Sequence, residues 1–408
     1  MKYSLPAHNL YGNEPIVIDF PDDWDVKEYS YAGADAKALT VKQMEERILN
    51  PINAVPVAEG AKGCKNAVII IDDITRPTLC ADISRIIIKQ LEIAGVPRNK
   101  IEFMVATGMH RAMMREDFVR KLDEELVREF NIYNHNPFYN NVLVGHGVNN
   151  TPIELNTEVV RADYKIAIGS IFPHPNTGLG GSGKILVPGI ASLETIRRFH
   201  LYPKGNWDYN DNRMRLIGNQ AYEFLGLDMK IDTLPNGKGD IAEIYAGHGP
   251  SIVDQKIKEI KAFYTVERPE PADLVIANNY FKPTEPSLSN ASKGVIFSLV
   301  KPGGDYILSY FTPQGVACHY LLGKWGDSDI GGPMYYGKGR IPEHINRYFA
   351  FSHYQDKGHG ASYHLDPDAH IWVDKWEDLM KALGDKPRSV TILKYATVFY
   401  MGEASEPK

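Results

Sequence analysis

The run Ala67-Val68-Ile69-Ile70-Ile71 is unbroken and rich in β-branched residues, the pattern of a strand covered on both faces of a parallel sheet. Behind it, Ile83, Ile86, Ile87 and Leu91 recur at helical spacing between Asp82 and Ala94, and Gly95 with Pro97 stops the helix. A second strand is predicted at Ile101–Val105, a charged helix from about Met114 to Phe130, and a third strand at Tyr164–Ile171. Strand, helix and strand at this spacing form right-handed βαβ units. A helix over Ser251–Tyr264, with Ile252, Ile257, Ile260 and Phe263 on one side, leads into the Pro-rich stretch Glu267–Pro271, a natural boundary. A second alternation follows: strand Leu274–Ala277, helix Leu288–Val300, a turn at Pro302-Gly303-Gly304, strand Asp305–Phe311, helix Lys375–Leu383 and strand Val390–Ala396. The pattern leaves open which domain receives the last strand. The expectation is an α/β protein of two domains, residues 1–268 and 269–408, each a mainly parallel sheet flanked by helices, with the active site in the cleft between them.

Composition narrows the function rather than the fold. With 408 residues, 43% hydrophobic and 24% charged, the chain can bury large cores, and disordered, collagen-like and coiled-coil classes are excluded. Its net charge of −6 is spread without long basic runs, which argues against nucleic acid as a partner and favours small-molecule chemistry. Cys64, Cys80 and Cys318 are odd in number and far apart, fitting neither a disulfide framework nor a paired-thiolate metal site, so a reducing cytoplasm is expected. The opening Met1–Pro6 has no apolar signal core, and no apolar run approaches the ~18 residues of a bilayer span, so no membrane partner is expected.

In open parallel sheets, ligands sit beyond the carboxyl ends of the strands. Asp72-Asp73-Ile74-Thr75-Arg76-Pro77 follows the first strand, Thr107-Gly108-Met109-His110-Arg111 the second and Phe172-Pro173-His174 the third. The glycine-rich stretch Gly178-Leu179-Gly180-Gly181-Ser182-Gly183-Lys184 comes next. It matches the P-loop template up to Lys184, but Ile185 stands where a magnesium-binding hydroxyl belongs; it also fits a dinucleotide fingerprint, which Pro188-Gly189 interrupts. A glycine-rich backbone that exposes N–H donors to an anion, ending in Lys184, is the reading that survives both. A nucleotide-binding phosphotransferase using Gly178–Lys184 is the alternative. A short helix then ends at His200.

These segments, in this order, resemble the nickel-dependent lactate racemase family, a group of 2-hydroxy-acid racemases and epimerases. The resemblance rests on Asp73–Pro77, Thr107–Arg111, Pro173-His174 with the loop to Lys184, and Pro188-Gly189-Ile190 through Glu194 to His200. It implies that Lys184 carries a covalently attached nickel-pincer nucleotide, a pyridinium mononucleotide with a thioamide and a thiocarboxylate. By the same resemblance His200 is the nickel ligand, His110 and His174 are the acid/base pair, and Arg76, Lys293 and Asn290 contact the substrate. Asp73 and Thr75 orient Arg76 or bind the nucleotide, and Gly178, Gly180, Gly181 and Gly183 surround its phosphate. The implied partners are a small 2-hydroxy acid and the proteins that build the cofactor.

Chemistry agrees with that set. Removing the α-hydrogen as a proton would build a second negative charge beside a carboxylate, at ~1.4 kcal/mol per pKa unit of mismatch; a hydride route avoids it. Serving both enantiomers calls for two bases on opposite sides of one carbon, a task for histidine near neutral pH. Imidazole is an acceptable nickel ligand, and soft donors from the cofactor explain why no cysteine pair is needed. Tyr280-Phe281-Lys282-Pro283 and Trp325 are further candidates to line the pocket, without an assigned role.

Overall fold

The apolar run becomes the strand Ala67–Asp72, in which all six residues are buried. Alternation along the strand serves two cores at once. Ile69 and Ile71 meet Ile83, Ile87 and Leu91 of the helix Ala81–Ile93 on one face. On the other, Val68 and Ile70 join Ile196, Phe199 and Ile217, from the helices Leu193–His200 and Arg213–Leu225. The structure is a computed structural model that describes residues 1–202, 212–286, 293–321, 341–357 and 369–401.

This strand lies inside a six-stranded sheet whose order is Ile241–Gly247, Met229–Pro235, Tyr164–Ser170, Ala67–Asp72, Ile101–Ala106, Asn131–Asn134. All neighbours are parallel except Ile241–Gly247, which turns back antiparallel at the edge. A second six-stranded sheet, parallel throughout, runs Ile371–Val373, Ile345–Phe351, Val300–Ser309, Ala272–Asn278, Ser389–Leu393, Asp25–Tyr29. The C-terminal strand therefore docks in the second sheet, and it brings an N-terminal strand with it. Leu5, Ile18, Phe20 and Trp24 pack on that sheet with Leu274, Ile307 and Leu379, so these residues and the strand Asp25–Tyr29 belong to the second lobe rather than the first.

Two sequence expectations shift. The predicted helix Leu288–Val300 is observed over Lys293–Ser298; residues 287–292 lie outside the described segments, and Val300 already begins a strand. The Pro302-Gly303-Gly304 turn is absorbed into that strand at a register shift rather than preceding it. The lobes share one apolar core: Ile171, Phe172 and Leu179 of the first meet Val275, Ala277 and Tyr306 of the second around the helix Gly249–Tyr264. Among the described residues no helix is long and apolar enough to cross a membrane.

Candidate active site

Both sheets turn the carboxyl ends of their strands toward one cleft. From the first lobe it is lined by Asp72, Asp73 and Arg76, by Ala106 through His110, by Ser170, Phe172 and His174, and by Lys230 and Asp232; Lys282, Glu285 and His319 line it from the second. An isolated antiparallel bridge between His110 and His319 holds the lobes together here through two backbone hydrogen bonds, Tyr320 N to Met109 O at 2.8 Å and Arg111 N to Cys318 O at 3.2 Å.

The turn after Asp72 is built around Asp73. Its Oδ1 accepts from the amide and the hydroxyl of Thr75, and its Oδ2 lies 2.6 Å from His110 Nδ1. Arg76 Nη1 donates to Thr75 Oγ1 and to Glu285 Oε2, each at 2.7 Å. The other oxygen of Glu285 lies 3.1 Å from His110 Nε2. His110 is thus held between two carboxylates, each of which accepts from a ring N–H, and the Asp73 and Glu285 charges outweigh burial to raise it to about 9. Glu285 is correspondingly held well below the usual carboxylate range, the Arg76 and His110 charges overcoming its burial.

His174 is in the opposite state. Burial and the nearby Lys184, Lys282 and Arg76 charges push it well below the ordinary imidazole range, and its Nδ1 accepts the Asn176 amide at 3.1 Å. The surroundings of the two histidines in one cleft thus act in opposite directions, raising His110 and lowering His174. Lys184 is brought down to about 7, chiefly by burial, with the Arg76 charge acting in the same direction. Its amine is therefore a competent nucleophile near neutrality. His200 closes the helix Leu193–His200, which Ser192 caps through the Thr195 amide. Its Nδ1–H donates to Ile196 O at 2.7 Å, and burial takes it down to about 4. That bond fixes the tautomer and leaves the ring's lone pair on Nε2.

The glycine-rich loop behaves differently from its sequence reading. Gly180 N donates to Phe172 O, Ser182 N to Asp232 Oδ2 and Lys184 N to Gly181 O, while Arg215 gathers the carbonyls of Leu179, Gly180 and Gly181. Those amides and carbonyls are spent inside the protein rather than presented to an anion. The glycines answer to packing instead. Gly181 has φ +71°, and a Cβ there would lie 2.9 Å from Asp232 Oδ1; a Cβ on Gly183 would lie 1.9 Å from Gly218 O. Gly183→Ala is accordingly expected to cost about 1–3 kcal/mol, read as a lower denaturant midpoint. Ser182–Ile185 is a short 3-10 turn, and the next α-helix after it begins only at Leu193, so the phosphate loop of the phosphotransferase alternative is not formed.

Of the residues singled out from sequence, Asp73, Arg76, His110, His174, Gly180, Gly181, Lys184 and His200 line the cleft. Thr75 bonds Asp73 and Arg76 from behind, while Gly178 and Gly183 are set back from the lining. Asn290 and the side chain of Lys293 lie outside the described residues. Sequence reading gave no role to Lys282, Glu285 or His319. Glu285 and Lys282 follow the strand Ala272–Asn278 and His319 follows Val300–Ser309, so applying the strand-end rule to the second sheet would have found them.

Residues 11–209 match the family model of the lactate racemase N-terminal domain. The chain is 26% identical to the lactate racemase of Thermoanaerobacterium thermosaccharolyticum over 316 residues, 73% of this chain and 72% of that protein. It is also 26% identical to the lactate racemase of Lactiplantibacillus plantarum over 320 residues, 72% of this chain and 74% of the relative. In fold it superposes on the lactate racemase apoprotein of T. thermosaccharolyticum with a TM-score of 0.72 at 19% identity, covering 99% of this chain and all (100%) of the other. A Thermotoga maritima protein superposes with a TM-score of 0.61 at 17% identity, covering 92% of this chain and 100% of that one. With a matching N-terminal domain over residues 11–209, two relatives aligned over nearly three quarters of its length and the same two-lobed fold, the chain is similar to the lactate racemases in sequence and in fold.

Proposed function

We propose that this protein is a racemase or epimerase of a 2-hydroxy acid, working through a nickel-pincer nucleotide attached to Lys184. The observation that carries the reading is His110, held between the Asp73 and Glu285 carboxylates, in the same cleft as His174 and the buried Lys184 amine. The residues present suit such a group. Lys184 is the nucleophilic amine for the tether, His200 offers an imidazole Nε2, and Gly180 and Gly181 border the space between. Among the described residues no three His, Cys, Asp or Glu side chains cluster to hold a metal; in this reading the soft donors would arrive with the group. When bound, the group supplies an electron-poor pyridinium carbon that takes up hydride and returns it.

The chain's own part is proton handling and positioning. His174, kept neutral by burial and the nearby cations, takes the hydroxyl proton of one enantiomer. His110 gives a proton from Nε2 to the oxygen on the other face, with Asp73 keeping Nδ1–H in place. Arg76 engages the carboxylate, as Lys293 does in the reading carried over from sequence. Proteins that build the cofactor are the proposed partners, and the cytoplasm the proposed compartment.

Expression together with the cofactor-making proteins tests this directly. The intact mass is expected to show an adduct and metal analysis nickel; both are expected to vanish in Lys184→Ala. Loss of optical purity across a panel of chiral 2-hydroxy acids then identifies the substrate. An unmodified, nickel-free chain from such cells removes the cofactor assignment.

A further inference from the structure

Behind the cleft, and not part of its lining, Lys121 projects inward from the helix Arg115–Glu129. Its side chain is 0% exposed, and its Nζ donates to Asp72 Oδ1 at 2.6 Å and to the Arg76 carbonyl at 3.1 Å. The other Asp72 oxygen accepts from Thr78 Oγ1 at 2.5 Å. Thr78 Oγ1 lies 2.6 Å from Ser170 Oγ, which lies 3.0 Å from Thr233 Oγ1. Each hydroxyl has one proton, and Thr78 directs its own at the carboxylate, so Ser170 donates to Thr78 and Thr233 to Ser170. One buried chain of hydrogen bonds therefore joins the helix to the turn Asp73–Pro77 and to the strands Tyr164–Ser170 and Met229–Pro235.

Stability alone does not account for the ion pair at its head. Desolvating two opposite charges largely cancels their attraction, and apolar replacements of such a pair are often neutral. What an apolar pair lacks is a donor for the Arg76 carbonyl, which no backbone N–H supplies among the described residues. An ammonium has protons for both acceptors. Arg76 is thereby held at both ends, its guanidinium by Thr75 and Glu285 and its carbonyl by Lys121. Ser170, further along the same chain, ends the strand that delivers His174. We infer that Lys121 is a positioning residue: its ammonium fixes the Arg76 backbone and, through Asp72, Thr78 and Ser170, the spacing between Arg76 and His174. The inference rests on the 2-hydroxy-acid reading for what that spacing serves.

Lys121→Met and the double variant Lys121→Met/Asp72→Asn separate positioning from stability. The single variant leaves a buried carboxylate without its cation and is expected to melt lower than the unchanged chain. The double variant removes both charges while leaving Thr78 its acceptor, and is expected to regain most of that loss. Neither returns a donor to the Arg76 carbonyl. Hydrogen exchange of the ligand-free full chain, read by mass spectrometry, is expected to be about tenfold faster over residues 73–80 in both variants, as loss of one hydrogen bond from a charged donor implies. In the nickel-loaded protein, assayed over the same panel of chiral 2-hydroxy acids, kcat/KM is expected to fall about 10²-fold in both, chiefly through KM. Exchange or KM at the unchanged chain's value in the double variant overturns the role, and that variant decides the matter should the single one not fold. A nickel-loaded unchanged chain that racemises no acid in the panel removes the racemase reading instead, and the exchange result then decides by itself whether Lys121 holds the turn.

Discussion

His110→Ala is expected to lower turnover of both enantiomers by about 10²–10⁴-fold, the usual range for removing a positioned acid/base group. Both directions suffer because a full cycle uses both histidines, and detailed balance forbids a one-sided loss in a reversible reaction at a single site. Polarimetry from each pure enantiomer checks this, and loss in one direction alone contradicts the mechanism. The alkaline limb of kcat/KM is expected near the value at which His110 surrenders its proton, about 9. Glu285→Gln removes one of the two carboxylates that hold that proton, so the limb should move to lower pH. The same shift affects stability with a definite sign. Because the folded value lies above the ordinary 6.5, the contribution is fully present below 6.5 and is lost as pH rises through about 9.

Asp232→Ala is expected to be the most destabilising single change near the cleft. Lys230 and Asp232 form a 2.7 Å pair with both side chains at 0% exposure, and Asp232 also receives the Ser182 amide at 2.9 Å. Truncation leaves a buried ammonium with only the Ile231 carbonyl and an amide without its acceptor. Breaking one side of such a pair costs about 3–5 kcal/mol, whereas replacing both partners by apolar residues is often neutral. Denaturant unfolding of Asp232→Ala beside the double variant Lys230→Met/Asp232→Leu distinguishes the two. A double variant as unstable as the single one would show that the charge left behind is not the cause.

The first lobe was legible because its strands obey a simple rule. Ala67–Asp72 is apolar on both faces, and each loop that follows a strand carries the chemistry, so Asp73, Arg76, His110 and His174 could be found by counting along the chain. The strand Asp25–Tyr29 escaped because it reads Asp-Val-Lys-Glu-Tyr, largely polar, and becomes a strand only by pairing with the edge of a sheet made elsewhere. The glycine loop misled for a different reason. Spacing shows that a backbone comes close to something, but not to what, and at Gly183 the neighbour is Gly218 of the chain itself. The strand-end rule, applied to the second sheet, points at Glu285 as a candidate but not at its role, which depends on reaching Arg76 and His110 across the cleft.

The pairing of Asp25–Tyr29 with Ser389–Leu393 also dictates the order of events on the ribosome. The edge strand emerges first and its hydrogen-bonding partner last, so a nascent chain holds an orphan ribbon throughout most of translation. The first sheet, all of whose strands lie between residues 67 and 247, can close long before then. A chain that stalls before residue 389 would therefore present a finished half-cleft beside an unfinished one.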